Sequence, residues 1–124
     1  MKVAAVQLTS TGNITENQEL ALAKIREAAG NGARLIVLPE ATAQNFRSGR
    51  LDEQAQTLEG PFATAIQALA EELEVTVVAG MFCPADTVER EGKTINRVTN
   101  TALIAGPGVL GGYDKIHTYD AFDY

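Results

Sequence analysis

Three side chains in this 124-residue sequence could do covalent chemistry on a substrate: the carboxylate of Glu40, the ammonium of Lys115 and the thiol of Cys83. Glu40 stands just beyond the apolar run Leu35 to Leu38, in the string LPEA. An open sheet presents such strand ends to a ligand crevice, where a carboxylate can move a proton; a solvated turn residue would occupy the same place. Lys115 lies in YDKIH, with Tyr113 and His117 on its side of the pleat, because alternate residues of a strand share a face. On an interior face its ammonium would be partly desolvated and would stabilise an oxyanion or hold a carboxylate; on an edge it would block aggregation. Cys83, in GMFCPAD, has apolar neighbours and no base near it in sequence, the setting of a packing residue. Spacing alone does not test whether Cys83, Glu40 and Lys115 meet.

Two short motifs carry less than they seem to. GPGVLGG, Gly106 to Gly112, satisfies G-x-G-x-x-G but leads into YDKIHTYDAF, which has no helical stripe, whereas a dinucleotide loop must open a helix. Glycines of a hairpin turn account for it. Asn13-Ile14-Thr15 fits a glycosylation acceptor, but with no export signal in MKVAAVQLTSTGN a helix cap is the better account. Neither a G-x-S-x-G elbow nor a Walker loop is present.

The elements that must position these groups follow from periodicity. Val3 to Leu8 reads as a short strand buried on both sides. Thr15 to Ala29 reads as a helix with Ala21, Ile25, Ala28 and Ala29 on its apolar face and its acidic residues early. Leu35 to Leu38 is a second strand, and the polar connection Ala41 to Glu59 holds a short helical turn near Leu51 to Leu58. Gly60 and Pro61 open a helix carrying Phe62, Ile66, Leu69 and Leu73 on one face. Val75 to Met81 is a third strand, Pro84 to Lys93 a solvated loop, and Thr94 to Ala105 and Val109 to Lys115 two strands around the turn Gly106-Pro107-Gly108. The order β-α-β-α-β followed by a hairpin predicts the α/β class, a mixed sheet with helices packed on it.

Composition narrows the function classes. The length fits one domain, 45% hydrophobic and 21% charged. Ten Lys and Arg against sixteen Asp and Glu give a net charge of -6, which argues against nucleic acid as a partner. One cysteine and one histidine can form neither an internal disulfide nor a His-rich metal cage. The expectation is a cytoplasmic protein with no membrane span, no structural zinc and no cofactor.

Together, VAAVQL at 3–8, ARLIVLPEA at 33–41, EGP at 59–61, NTALI at 100–104 and GGYDKIH at 111–117 resemble the amino-terminal half of the nitrilase, or carbon-nitrogen hydrolase, family. The resemblance runs over the whole chain. It implies half of an α-β-β-α sandwich and a mechanism built on Glu, Lys and Cys, in which Glu40 matches the glutamate and Lys115 the lysine. A cysteine thiolate attacks an amide or nitrile carbon, the glutamate takes and returns the proton, and the lysine stabilises the oxyanion.

Family members carry the nucleophile downstream of the lysine, and this sequence ends at Tyr124 before that string; Cys83, upstream, does not match it. Asp114 stands where many members have arginine, and Thr118 where leucine is common. The resemblance therefore implies a single partial domain over residues 1–124, truncated before the nucleophile region and inactive alone. A half-sandwich leaves an apolar sheet face uncovered, so self-association or a complementary chain is expected. Two other readings stand beside the hydrolase. One is a non-catalytic remnant or interaction module that pairs with a full-length relative. The other is an unrelated ligand-binding domain in which Glu40 and Lys115 are ordinary surface residues.

Overall fold

The computed structural model describes residues 1–115. Within them five strands, β1 (Lys2–Ala5), β2 (Ala33–Val37), β3 (Thr76–Arg90), β4 (Lys93–Gly106) and β5 (Val109–Asp114), lie side by side in sequence order. The pairs β1–β2 and β2–β3 are parallel, β3–β4 and β4–β5 antiparallel, so the sheet is mixed. Helix α1 (Ile14–Gly30) connects β1 to β2, and α2 (Pro61–Leu73) connects β2 to β3.

Local sequence explains both helices. The Asn13 side chain accepts a hydrogen bond from the Glu16 N–H at 3.0 Å and so caps α1. Pro61, which lacks an N–H, occupies the first turn of α2, where that donor would have no helical partner. At its other end Glu74 turns left-handed, φ 55°, and its N–H closes back on Ala70 and Glu71. Both helices pack on the same face of the sheet. Ala21 and Ile25 of α1 and Phe62 and Ile66 of α2 are fully buried there, against Ile36, Val77, Ala79, Met81, Leu103 and Ala105. The opposite face has no helix over it among the described residues. Val3, Val37 and Tyr113 lie on it 53%, 37% and 58% exposed, with Val78 and Ile104 half-buried between them. The chain is thus α/β, one helix layer on one mixed sheet.

Three expectations fail on physical grounds. The first strand is not buried on both sides, because it sits at the edge of the sheet with one face open. Pro84 to Lys93 is not a loop: β3 and β4 stay paired out to Arg90 and Lys93, and Glu91 and Gly92, at φ 51° and 75°, make a two-residue turn. Its charges sit on strands because this ribbon extends past the helices and both of its faces meet water; the Arg97–Asp86 ion pair bridges it. Residues 51–58 form turns and bends without a helix.

Phe62, at 0% exposure, is the largest fully buried side chain among the described residues. Phe62→Ala should lower unfolding stability by about 3–5 kcal/mol, read from urea denaturation with an unchanged m-value.

Candidate active site

The chain leaves β2 at Val37 but keeps running beside β3. Leu38 donates its N–H to the Val78 carbonyl at 2.8 Å, and Gly80 donates to the Pro39 carbonyl at 3.1 Å. Directly after Glu40 the backbone swings into the left-handed region at Ala41, φ 60°, an unfavourable conformation for a residue with a Cβ. What holds it there is contact with β3. Ala43 donates to the Gly80 carbonyl at 3.1 Å, and Ser10 Oγ donates to the Ala41 carbonyl at 3.0 Å. Gly80 makes the approach feasible, since a Cβ at that position would lie 2.5 Å from the Ala41 nitrogen and 2.7 Å from the Glu40 Cα.

Lys115 arrives along the same face from the β5 edge of the sheet. It follows β5 by one residue, and its N–H donates to the Asn100 carbonyl at 2.8 Å, one step beyond the last ladder pair, Thr101 and Asp114. Its Nζ donates to Glu40 Oε1 at 3.2 Å across 75 positions of sequence. The Asn100 side chain donates from Nδ2 to the same oxygen at 2.6 Å. The site lies on the face free of helices: strand alternation places Val78 and Gly80 of β3, Asn100 and Ala102 of β4, and Tyr113 and Lys115 together there. These residues line a cavity of about 300 Å³, with Glu40 at its rim.

The electrostatics follow from these contacts. The Asn100 hydrogen bond, and after it the hydrogen bond and charge of Lys115, hold the Glu40 carboxyl below its ordinary pKa; partial burial works the other way. Glu40 is therefore a carboxylate at neutral pH. The side chains of Lys115 and Glu40 remain 43% and 49% exposed, so their pairing adds little to stability. An ionised acceptor beside a fixed cation at the edge of a cavity can accept a proton, and the cation can meet a developing negative charge.

The two site residues expected from sequence, Glu40 and Lys115, come together; the thiol does not join them. Cys83 alternates with Phe82 onto the helix-covered face and packs against the core there. Asp114 likewise turns away from Lys115 and accepts from Thr101 Oγ1 at 2.7 Å. His117 and Thr118 lie outside the described residues. Asn100 went unassigned in the sequence reading, although counting outward from the Pro107-Gly108 turn places it opposite Lys115. No cluster of three His, Cys, Asp or Glu side chains able to hold a metal occurs among the described residues.

This architecture is shared with solved enzymes. A CN-hydrolase superfamily protein from Xanthomonas campestris, whose crystal structure carries an arsenic adduct in its active site, superposes with a TM-score of 0.69 and 26% identity, over 90% of this chain and 38% of that one. The fold is thus that of a nitrilase-type α/β unit. Residues 2–124 match the carbon-nitrogen hydrolase family, and the chain belongs to it. A Mycobacterium tuberculosis hydrolase is 39% identical over 129 residues, covering 100% of this chain and 42% of the relative. The deaminated glutathione amidase of Synechocystis is 36% identical over 118 residues, covering 94% of this chain and 42% of the relative. The chain spans about two-fifths of the length of these relatives and corresponds to their amino-terminal part.

Gly80→Ala should displace the Glu40 turn and destabilise the protein by about 1–3 kcal/mol through overpacking. Gly111→Ala, whose Cβ would meet nothing within 4 Å, should leave the unfolding free energy from urea denaturation within about 0.5 kcal/mol of the parent. Equal midpoints for the two variants would contradict the close-approach account.

Proposed function

We propose that this chain supplies the general base and the oxyanion-stabilising lysine of an enzyme that hydrolyses non-peptide carbon-nitrogen bonds in small amides or nitriles. The observation that carries the reading is the contact of Glu40 Oε1 with Lys115 Nζ on the helix-free face, in a member of the carbon-nitrogen hydrolase family. In this reading Glu40 takes the proton of a cysteine thiol as its sulfur bonds to the substrate carbon. Lys115 stabilises the oxyanion of the tetrahedral intermediate. With an amide, Glu40 then returns the proton to the departing nitrogen; with a nitrile, thiol addition first gives a thioimidate, which takes up one water before ammonia leaves. The acyl-enzyme thioester is hydrolysed by a water that Glu40 deprotonates, and that proton returns to the departing cysteine sulfur. The steps use no cofactor.

The nucleophile comes from polypeptide outside these 124 residues, since Cys83 occupies the opposite face of the sheet. The same polypeptide, or a second copy of the chain, covers the exposed face bearing Val3, Val37 and Tyr113. A reducing cytoplasm suits such a thiol. The competing reading, a non-catalytic module that pairs with a full-length relative, uses the same face without the chemistry.

Ammonia release from a panel of short amides and nitriles distinguishes them. The 124-residue chain alone should release none, whereas a fusion to the carboxy-terminal remainder of the mycobacterial relative should turn over. In the fusion, Glu40→Gln and Lys115→Met should each lower kcat/KM by at least about 100-fold. Turnover by the isolated chain that survives Cys83→Ser, or a fusion indifferent to Glu40→Gln, would overturn the assignment.

A further inference from the structure

Asn100 touches both halves of the Glu40–Lys115 pair, through different atoms. Its backbone carbonyl accepts the Lys115 N–H at 2.8 Å and extends the β4–β5 ladder by one bond. Its side-chain Nδ2 donates to Glu40 Oε1 at 2.6 Å, a shorter contact than the 3.2 Å from Lys115 Nζ to the same atom. A carboxylate oxygen accepts only, so the amide must present its nitrogen, and the side chain's orientation is fixed by chemistry. Asn100 also sits in β4 between paired neighbours, Phe82 on one side and Lys115 on the other, whereas Glu40 lies in a turn and Lys115 at a strand end. It is the rigid member of the three.

We propose that Asn100 is a positioning residue for this site: its side chain fixes the rotamer of Glu40 and occupies Oε1, and its main chain fixes the entry of Lys115, so that Oε2 is the oxygen presented for proton transfer. This rests on the hydrolase reading for its purpose, but the geometry it asserts can be tested without turnover. Proton affinity follows from the same arrangement. The Asn100 donor stabilises the carboxylate form of Glu40, as a hydrogen bond to a charged acceptor does. Among the described residues, the other ionisable groups around Glu40 are Lys115 and Tyr113 in its cavity and Arg47 from the loop beyond β2; Asp114 is engaged by Thr101 on the other face.

The test is a carboxyl ¹³C NMR titration of Glu40 in the full chain, with hydrogen exchange of the Lys115 amide followed in parallel. Asn100→Ala keeps the carbonyl and loses the donor. Its Glu40 midpoint should rise toward the ordinary glutamate value while protection of the Lys115 amide is retained. Asn100→Asp, nearly the same shape, replaces the donor with a second carboxylate and should raise the midpoint further; Asn100→Gln, which keeps an amide donor, should restore part of the shift. An unchanged Glu40 midpoint in Asn100→Asp with Lys115 protection intact would overturn the proposal, and that variant decides the matter if Asn100→Ala fails to fold. A fusion enzyme indifferent to Glu40→Gln would instead remove the hydrolase reading and leave this geometry standing.

Discussion

Every residue of a strand belongs to one face of its sheet or the other, and this parity is the constraint on which the site depends. The helices claim one face through Ile36, Val77, Ala79, Met81, Leu103 and Ala105, all buried. The candidate site uses the intervening positions, where Asn100, Tyr113 and Lys115 line the cavity together with Gly80 and Ala102. Core and site therefore cannot be altered independently. One extra residue in the turn between β4 and β5 would carry Leu110 and Gly112 to the open face and send Lys115 toward the helices, away from Glu40. The pairing register across the β4–β5 turn is thus what brings Lys115 to Glu40.

Backbone geometry, rather than ion-pair attraction, holds the pair. Two half-exposed charges in contact contribute little net free energy, because water screens them and their side chains lose freedom. Their meeting is over-determined by main-chain contacts instead: Glu40 by the Gly80 approach and the left-handed Ala41, Lys115 by its bond to the Asn100 carbonyl. Linkage gives the contact a direction with pH. The folded pKa of Glu40 is depressed, so its small contribution to stability is present above the unfolded glutamate value and is lost as pH falls through the folded value.

Element order, both helices and the GPG hairpin were legible in the sequence, because each has a local signal: Asn13 before a helical stripe, Pro61 at a helix start, Phe62, Ile66 and Leu69 at helical spacing. The outer half of the β3–β4 ribbon was not legible. Hydrophobic alternation marks a strand only when one face is buried, and residues 86–96 have water on both. Edge position was equally hidden at β1, since an apolar run reads the same at the margin of a sheet as at its centre. At the site, the resemblance singled out Glu40 and Lys115, while Asn100 carries an uncharged side chain inside a strand and becomes visible only through cross-strand register. The face on which Cys83 lies was fixed by parity, which the string GMFCPAD does not reveal.

In the proposed reaction, the exposed face and the hydration of Glu40 and Lys115 are one fact seen twice. Exposures of 43% and 49% for Lys115 and Glu40 leave both groups hydrated, and a hydrated ammonium stabilises an oxyanion weakly, because its field is screened and water must reorganise around it. Covering Val37, Val78, Ile104 and Tyr113 with a second layer would bury apolar area and exclude that water in the same step. The desolvation would also push Glu40 upward in pKa, against the pull of Asn100 and Lys115, toward the range in which a carboxylate is an effective base. For the proposed role of Glu40, a depressed value on the open face is thus a suitable starting point: the carboxyl would stay ionised once covered.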